Sequence, residues 1–149
     1  MTNEDIINHA SFQIGLKVLI CKYGKFLMLR HHPTGRFDLP GGRMGTEEKT
    51  RNLMEILKRE ITEELGGVEI EIGKPLFQFR RHFPDRGYDV FITVYEAEHI
   101  SGEIVISEDH QKFEWMDPVN FDFTLEDFWH QEEYEAFRKY FSINTSNVG

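Results

Sequence analysis

Leu53, Leu57, Ile61 and Leu65 stand four residues apart, and Gly66-Gly67 follows at once. On a helix this spacing draws a single apolar stripe, which has to be buried against another element. The pattern predicts a helix from about Glu47 to Leu65, with Thr46 as a cap at its start and the glycine pair as its stop. Strand-like segments lie on both sides of it. Phe12–Lys22 is rich in Ile, Val and Leu, Tyr23-Gly24 makes a tight turn, and Lys25–Arg30 returns as the second arm of a hairpin. Downstream, Val68–Ile72, Pro75–His82 and Tyr88–Glu98 read as strands, the last two joined by a turn at Pro84-Asp85-Arg86-Gly87. Glu103–Ser107 and Lys112–Met116 are shorter strand candidates. A second helix, from Phe123 or Thr124 to Phe141, carries Phe128, Trp129, Phe137, Tyr140 and Phe141. Strands flanking one long helix, with another helix at the end, imply a mixed sheet in α/β/α layers.

The chain has 149 residues and no internal repeat or linker-like tract, so one domain, 1–149, is expected, with 1–10 and 142–149 as flexible ends. Its predominantly apolar runs, such as Leu16–Cys21 and Val90–Tyr95, are far too short to cross a bilayer. Met1–Ala10 carries Glu4 and Asp5 and does not read as a signal peptide. A single cysteine, Cys21, has no internal disulfide partner and reads as a packing residue. Together these points favour the cytoplasm, with no membrane partner.

The net charge of −9 argues against a sequence-independent nucleic-acid binder, which needs a basic face. The same charge would repel a polyphosphate. Clustered carboxylates that hold a divalent metal remove the conflict, because the metal then accepts phosphate oxygens.

Arg59-Glu60-Ile61-Thr62-Glu63-Glu64-Leu65-Gly66 offers such a cluster. On a helix Glu60 lies beside Glu63 and Glu64, while Ile61 and Leu65 face the other way. Three neighbouring carboxylates repel one another, and a hard cation converts that cost into binding. Taken alone, the cluster reads as a solvated acidic face, since acidic helices with glutamate pairs are common. Its context points elsewhere. Leu39-Pro40-Gly41-Gly42 precedes the helix and can bring backbone carbonyls to the same ion, and a second acidic segment, Glu108-Asp109-His110, follows.

In these motifs the sequence resembles the Nudix hydrolase family, with MutT-like features and features of its GDP-mannose-hydrolysing branch. The resemblance runs from the first strand to Trp115 and implies an α/β/α sandwich, dependence on Mg²⁺ or Mn²⁺, and hydrolysis of diphosphate bonds. By position it makes Glu60 and Glu64 the main metal ligands, Glu63 a third ligand or water-holding carboxylate, and Arg59 the orienting arginine. Gly42 would lend a carbonyl to the metal. Gly42 to Arg59 is three residues longer than the family's usual spacing, which places extra residues around Arg43–Thr50 and leaves open whether Glu47 or Glu48 fills an earlier glutamate position. Gly67 also stands where an aliphatic residue is usual. Asp109, six positions before Trp115, matches a distal acidic ligand, and His110 resembles the branch's catalytic base. An ordinary polar turn explains that pair equally well, and Phe113 and Trp115 read as core residues.

The expected chemistry is attack of water on a phosphorus of a nucleoside diphosphate linked to another moiety, either a nucleoside triphosphate or a nucleotide sugar. A cluster glutamate, Asp109 or His110 would take the proton. Arg30, Arg36, Arg80, Arg81 and Arg86 are candidate phosphate holders. Strand alternation puts Arg80 and His82 on one face and Arg81 on the other. Phe79, Phe83, Tyr88, Phe121 and Phe123 are candidate base-stacking rings, with core packing as the alternative for each. The competing functions are a Nudix-fold nucleotide sensor without catalysis and an isomerase of the same fold. The sensor would be favoured by loss of a motif glutamate, which does not occur. The isomerase would need an acid–base cysteine, for which Cys21 is badly placed. A homodimer is compatible with the resemblance, although no residue demands one.

Overall fold

Side chains along the first strand alternate between two apolar environments. Leu16, Val18 and Ile20 join one buried cluster and Leu19 the other, and in the next strand Leu27 and Leu29 oppose Met28 in the same way. A strand that is apolar on both faces has to be covered on both sides. The computed structural model describes residues 8–120 and 122–146 and shows that arrangement. Its strands are β1 (Gln13–Lys22), β2 (Lys25–His31), β3 (Phe37–Asp38), β4 (Gly41–Arg43), β5 (Glu69–Phe83), β6 (Tyr88–Ser101) and β7 (His110–Met116). Its helices are α1 (Leu53–Leu65) and α2 (Gln131–Ser146). The strands form one mixed sheet of order β3-β2-β1-β6-β5, with β4 paired to β1 and β7 to β2.

α1 covers one face. Its Ile56, Leu57, Ile61 and Leu65 pack on Leu16, Val18, Ile20, Leu27 and Leu29. Each such side chain contributes about 1.5–3 kcal/mol on burial. α2 covers the other face with Phe137 and Phe141, against Leu19, Met28, Phe79, Val90 and Ile92. The α/β/α sandwich is therefore the observed fold. Among the described residues, no helix is long and apolar enough to cross a membrane.

The connection that matters for the site is the separation of β1 from β2. They pair antiparallel at Cys21↔Phe26 and Lys22↔Lys25, beside the hairpin turn. Farther along, β1 runs parallel to β6 on one side and accepts β4 on the other, at Leu16↔Gly42 and Lys17↔Gly41. β2 meanwhile pairs with β3 and β7. Residues 37–43 thus fill a wedge that opens between the two strands.

Several boundaries differ from the sequence expectations. α1 begins at Leu53 rather than near Glu47, because the Asn52 side chain accepts from the N–H groups of Met54 (2.9 Å) and Glu55 (3.3 Å). Thr46–Glu48 is a separate 3₁₀ turn, so the extra residues of the loop precede the helix, and Leu53 is left exposed. Val68–Ile72 and Pro75–His82 merge, from Glu69 on, into the single strand β5, whose register with β6 is irregular between Ile72 and Phe77, where Pro75 has no N–H to give. Glu103–Ser107 is not a strand. Its Val105 and Ser107 N–H groups donate to the carbonyls of Leu65 and Glu64, satisfying the end of α1 instead of a sheet neighbour. α2 begins at Gln131, after a 3₁₀ turn at Leu125–Asp127. It continues through 142–146, which were expected to fray, whereas 1–7, Phe121 and 147–149 lie outside the described residues. Cys21 is only half-buried and Phe113 is exposed, so neither is a core residue, while Trp115 packs half-buried against the α1 cluster.

Candidate active site

The last two turns of α1 point their polar face at the wedge. Arg59 lies at the centre of a carboxylate knot. Its Nη2 donates to Glu48 Oε2 at 2.6 Å, its Nη1 to Glu63 Oε1 at 2.9 Å, and Nη2 also meets Glu60 Oε1 at 3.1 Å. Glu48, not Glu47, is therefore the loop glutamate that reaches Arg59. It is buried, it also accepts from the Gly45 N–H at 2.9 Å, and these bonds hold its carboxyl below the usual range. The guanidinium fork fixes several carboxylates at once, which a lysine would not do.

Glu60 is buried beside the loop glycine, and a Cβ at Gly42 would collide with its carboxylate. Burial raises the pKa of Glu60 although Arg59 pulls the other way. Glu64 is pushed up to about 7 by burial, against the charges of Lys17 and His110. Its Oε2 has no hydrogen-bond partner and faces His110 Nδ1 at 3.4 Å. The other ring nitrogen of His110 faces Asp38 Oδ2 at 3.7 Å.

Asp38 opens a buried ionic network that fills the wedge. It meets Lys17 Nζ at 3.2 Å and Arg81 Nη2 at 3.2 Å, and Arg81 continues to Glu133 of α2 at 2.5 Å. Burial alone would raise the Asp38 carboxyl, but Lys17 and Arg81 hold it well below the ordinary value. Sequence reading missed Lys17, Asp38 and Glu133. Two of them left a trace: Lys17 interrupts an otherwise apolar strand, and Asp38 stands between Phe37 and Leu39.

Some of the sequence-derived candidates are thus assembled and others are not. Arg59, Glu60, Glu64, Gly42 and His110 converge. Glu63 is on the same helix face, but it is largely exposed and tied to Arg59. Asp109 is exposed beside them, and its backbone carbonyl accepts from the His32 N–H at 2.8 Å. Arg30 is taken up by Glu114 (3.3 Å) and Asp127 (3.2 Å), and Arg80 by Glu132 (2.7 Å) on the surface. Arg81 does face opposite to Arg80, into the core. Phe79 is a core ring. Arg36, Arg86, Phe83 and Tyr88 remain half-buried or exposed.

The model of the NUDIX domain matches residues 13–140. The chain belongs to the Nudix hydrolase family. No curated protein matches by sequence. Among solved structures, the Nudix fold seen here is similar to a MutT protein from Methanosarcina mazei Go1, at TM-score 0.70 and 22% identity over 95% of this chain and 99% of that one. It is similar to a MutT NUDIX hydrolase from Burkholderia pseudomallei at TM-score 0.66 and 23% identity, over 84% and 95% of the two chains. An ADP-ribose pyrophosphatase from Streptococcus suis 89-1591 aligns at TM-score 0.61 and 13% identity, over 90% and 92%.

Nudix hydrolases generally use a divalent metal such as Mg²⁺. Among the described residues, no three His, Cys, Asp or Glu side chains are already arranged as a metal cage, since Glu63 bends to Arg59 and Glu64 to His110. The Nudix helix nevertheless fits a hard cation. Its donors are oxygens, Glu64 Oε2 is buried without a partner, and Gly42 leaves bare backbone against Glu60. The buried Glu60 and half-buried Glu64 carboxyls both sit above their ordinary pKa, a condition that a bound cation reverses.

Proposed function

We propose that this Nudix hydrolase cleaves a diphosphate bond of a nucleoside diphosphate linked to a further group, with Mg²⁺ or Mn²⁺ held by Glu60, Glu64 and the Gly42 carbonyl. The observation that carries the reading is Glu64 Oε2, a buried oxygen of a half-buried side chain, without a hydrogen-bond partner and facing His110, one turn from an arginine-bound Glu60. A divalent ion there supplies charge neutralisation on phosphate oxygens and a lower pKa for water.

The protein's own groups divide the remaining work. Arg59 orients Glu48, Glu60 and Glu63, and Glu63 joins the ligand set by exchanging its exposed ion pair for the cation. Asp109, exposed beside the site, is the distal carboxylate ligand. His110 accepts the proton of the attacking water, and the charge of Asp38 behind its second nitrogen stabilises the imidazolium that forms.

The test is turnover of a panel of nucleoside triphosphates and nucleotide sugars, with and without Mg²⁺, comparing wild type with Glu64→Gln and His110→Ala. For the sugars, added phosphatase makes the cleaved products visible as phosphate. Magnesium-dependent turnover that collapses with Glu64→Gln is expected, with a loss of about 10²–10⁴-fold for His110→Ala. Tight binding of the same compounds, left intact with Mg²⁺ present, would instead identify a nucleotide sensor.

A further inference from the structure

What distinguishes the arginines of this chain, whose net charge is −9, is what each guanidinium rests against. Arg30, Arg59, Arg80 and Arg81 each meet one or more carboxylates. Among the described residues, Arg36, Arg43, Arg51, Arg86 and Arg138 meet none within ion-pair distance, and Arg36, Arg43 and Arg86 stand apart from the other two. Each of these three sits against an aromatic group. The Arg43 guanidinium lies 4.9 Å from the Tyr88 ring centre, and its Nη1 donates to the neutral Gln13 Oε1 at 2.8 Å. Arg86 donates to the Tyr88 hydroxyl at 3.3 Å and lies 5.7 Å from the Phe83 ring. The Arg36 guanidinium is 5.3 Å from the Trp129 ring.

These rings form one strip. Tyr88 and Phe83 are 5.3 Å apart between centroids, Phe83 and Trp129 6.1 Å, and Trp129 and His31 4.8 Å. The Trp129 Nε1 is buried with no hydrogen-bond partner, so the strip also holds an unused donor. One end reaches the metal-binding wedge, and the other lies across β4 from it. His31 lies within electrostatic reach of Asp38, Asp109 and His110, and Arg43 follows Gly42 on β4 with its side chain on the face opposite Glu60.

Flat rings and uncompensated guanidinium groups recognise a flat, anionic molecule, the rings by stacking and the guanidinium groups by forked bonds to phosphate oxygens. A nucleotide sugar brings only the two phosphates that the metal site itself would hold. It offers three free arginines nothing more. Resting on the hydrolase reading above, we propose that the strip makes this enzyme select a nucleotide with anionic groups beyond that diphosphate, a nucleoside triphosphate rather than a nucleotide sugar. Arg36, Arg43 and Arg86 receive the additional charge, while the base lies along Trp129, Phe83 and Tyr88.

The experiment is a fluorescence titration of the full chain with ATP, CTP, GTP and UTP and with UDP-glucose and GDP-mannose. Ca²⁺ replaces Mg²⁺, and the ligands are recovered to confirm that they stay intact. At least one triphosphate should bind ten or more times tighter than either nucleotide sugar. Arg36→Met, Arg43→Met and Arg86→Met should each shrink that preference by about threefold to tenfold, whereas Arg138→Met, an equal charge change on the exposed side of α2, should leave it unchanged. Equal affinity for the two classes, no binding of either, or arginine variants that weaken both alike would overturn the proposal. Failure of the hydrolase reading has a different signature, an arginine-dependent preference with no turnover in Mg²⁺.

Discussion

Glu64 is half of a balance that can be read as stability against pH. Its carboxyl titrates at about 7 in the folded protein and at the ordinary 4.5 when unfolded, because burial penalises its charge. Between those values the folded state holds a proton that the unfolded state has released. Stability of the metal-free protein therefore falls as pH rises from about 4.5 to about 7 and levels off above that. The interval corresponds to about 3 kcal/mol, and partial solvent access at the site reduces it to about 2–3 kcal/mol. For a domain of this length that is a loss of roughly 5–10 °C in melting temperature. The assay is thermal unfolding by circular dichroism in EDTA at intervals from pH 4.5 to 8, for wild type and Glu64→Gln. Glu60 and Glu133 are also raised by burial and contribute slopes of the same sign, so the informative quantity is the difference between the two proteins. Glu64→Gln should remove its share of the slope and be relatively more stable at pH 8. Saturating Mg²⁺ should restore the wild type at pH 8 and affect it little at pH 5. Identical pH slopes in the two proteins would refute the claim that this carboxylate waits, desolvated, for a cation.

The buried ionic network makes a second prediction. Asp38→Asn leaves Lys17 and Arg81 without their shared carboxylate at about one-tenth exposure and should cost about 3–5 kcal/mol in urea unfolding, whereas Arg80→Met breaks an exposed pair and should cost less than about 1 kcal/mol. Because the Asp38 carboxyl is held below its ordinary value, its contribution is present above that value and is lost as pH falls through the depressed one, so the difference between wild type and Asp38→Asn should shrink only in strong acid. Gly42→Ala should place a methyl group where the Glu60 carboxylate lies, weakening Mg²⁺ binding by about tenfold in calorimetric titration while the far-ultraviolet spectrum stays unchanged. An alanine variant with full Mg²⁺ affinity would show that the bare backbone at Gly42 is not part of the ion's cradle.

Much of the site was legible because helical periodicity is local. Arg59, Glu60, Glu63 and Glu64 are neighbours on any helix, and the stripe through Leu57, Ile61 and Leu65 says which way they face. Gly66 ended that helix as expected, with its N–H donating to Thr62 and a positive φ that only glycine adopts without strain. The first strand was equally readable from its Ile, Val and Leu content, and so was the opposition of Arg80 and Arg81 from the two-residue repeat of a strand.

What the sequence could not disclose depends on contacts between residues far apart in the chain. Whether an arginine holds phosphate or a neighbour's carboxylate depends on what folds against it. Arg30 and Arg80 were equal to Arg36 and Arg86 until Asp127 and Glu132 reached the first two. Glu48 became the partner of Arg59, and Glu47 did not, through a turn whose geometry no local pattern specifies. Lys17, Asp38, Arg81 and Glu133 come from four separate elements, and only the wedge between β1 and β2 gathers them. Spacing along the chain therefore determined the helix, the layers and the acidic cluster, since these follow from the fixed repeat of each element. The charge partners and the burial that moves Glu64 were decided by packing alone, because desolvation and ion pairing fall off over a few ångströms and take no account of sequence distance.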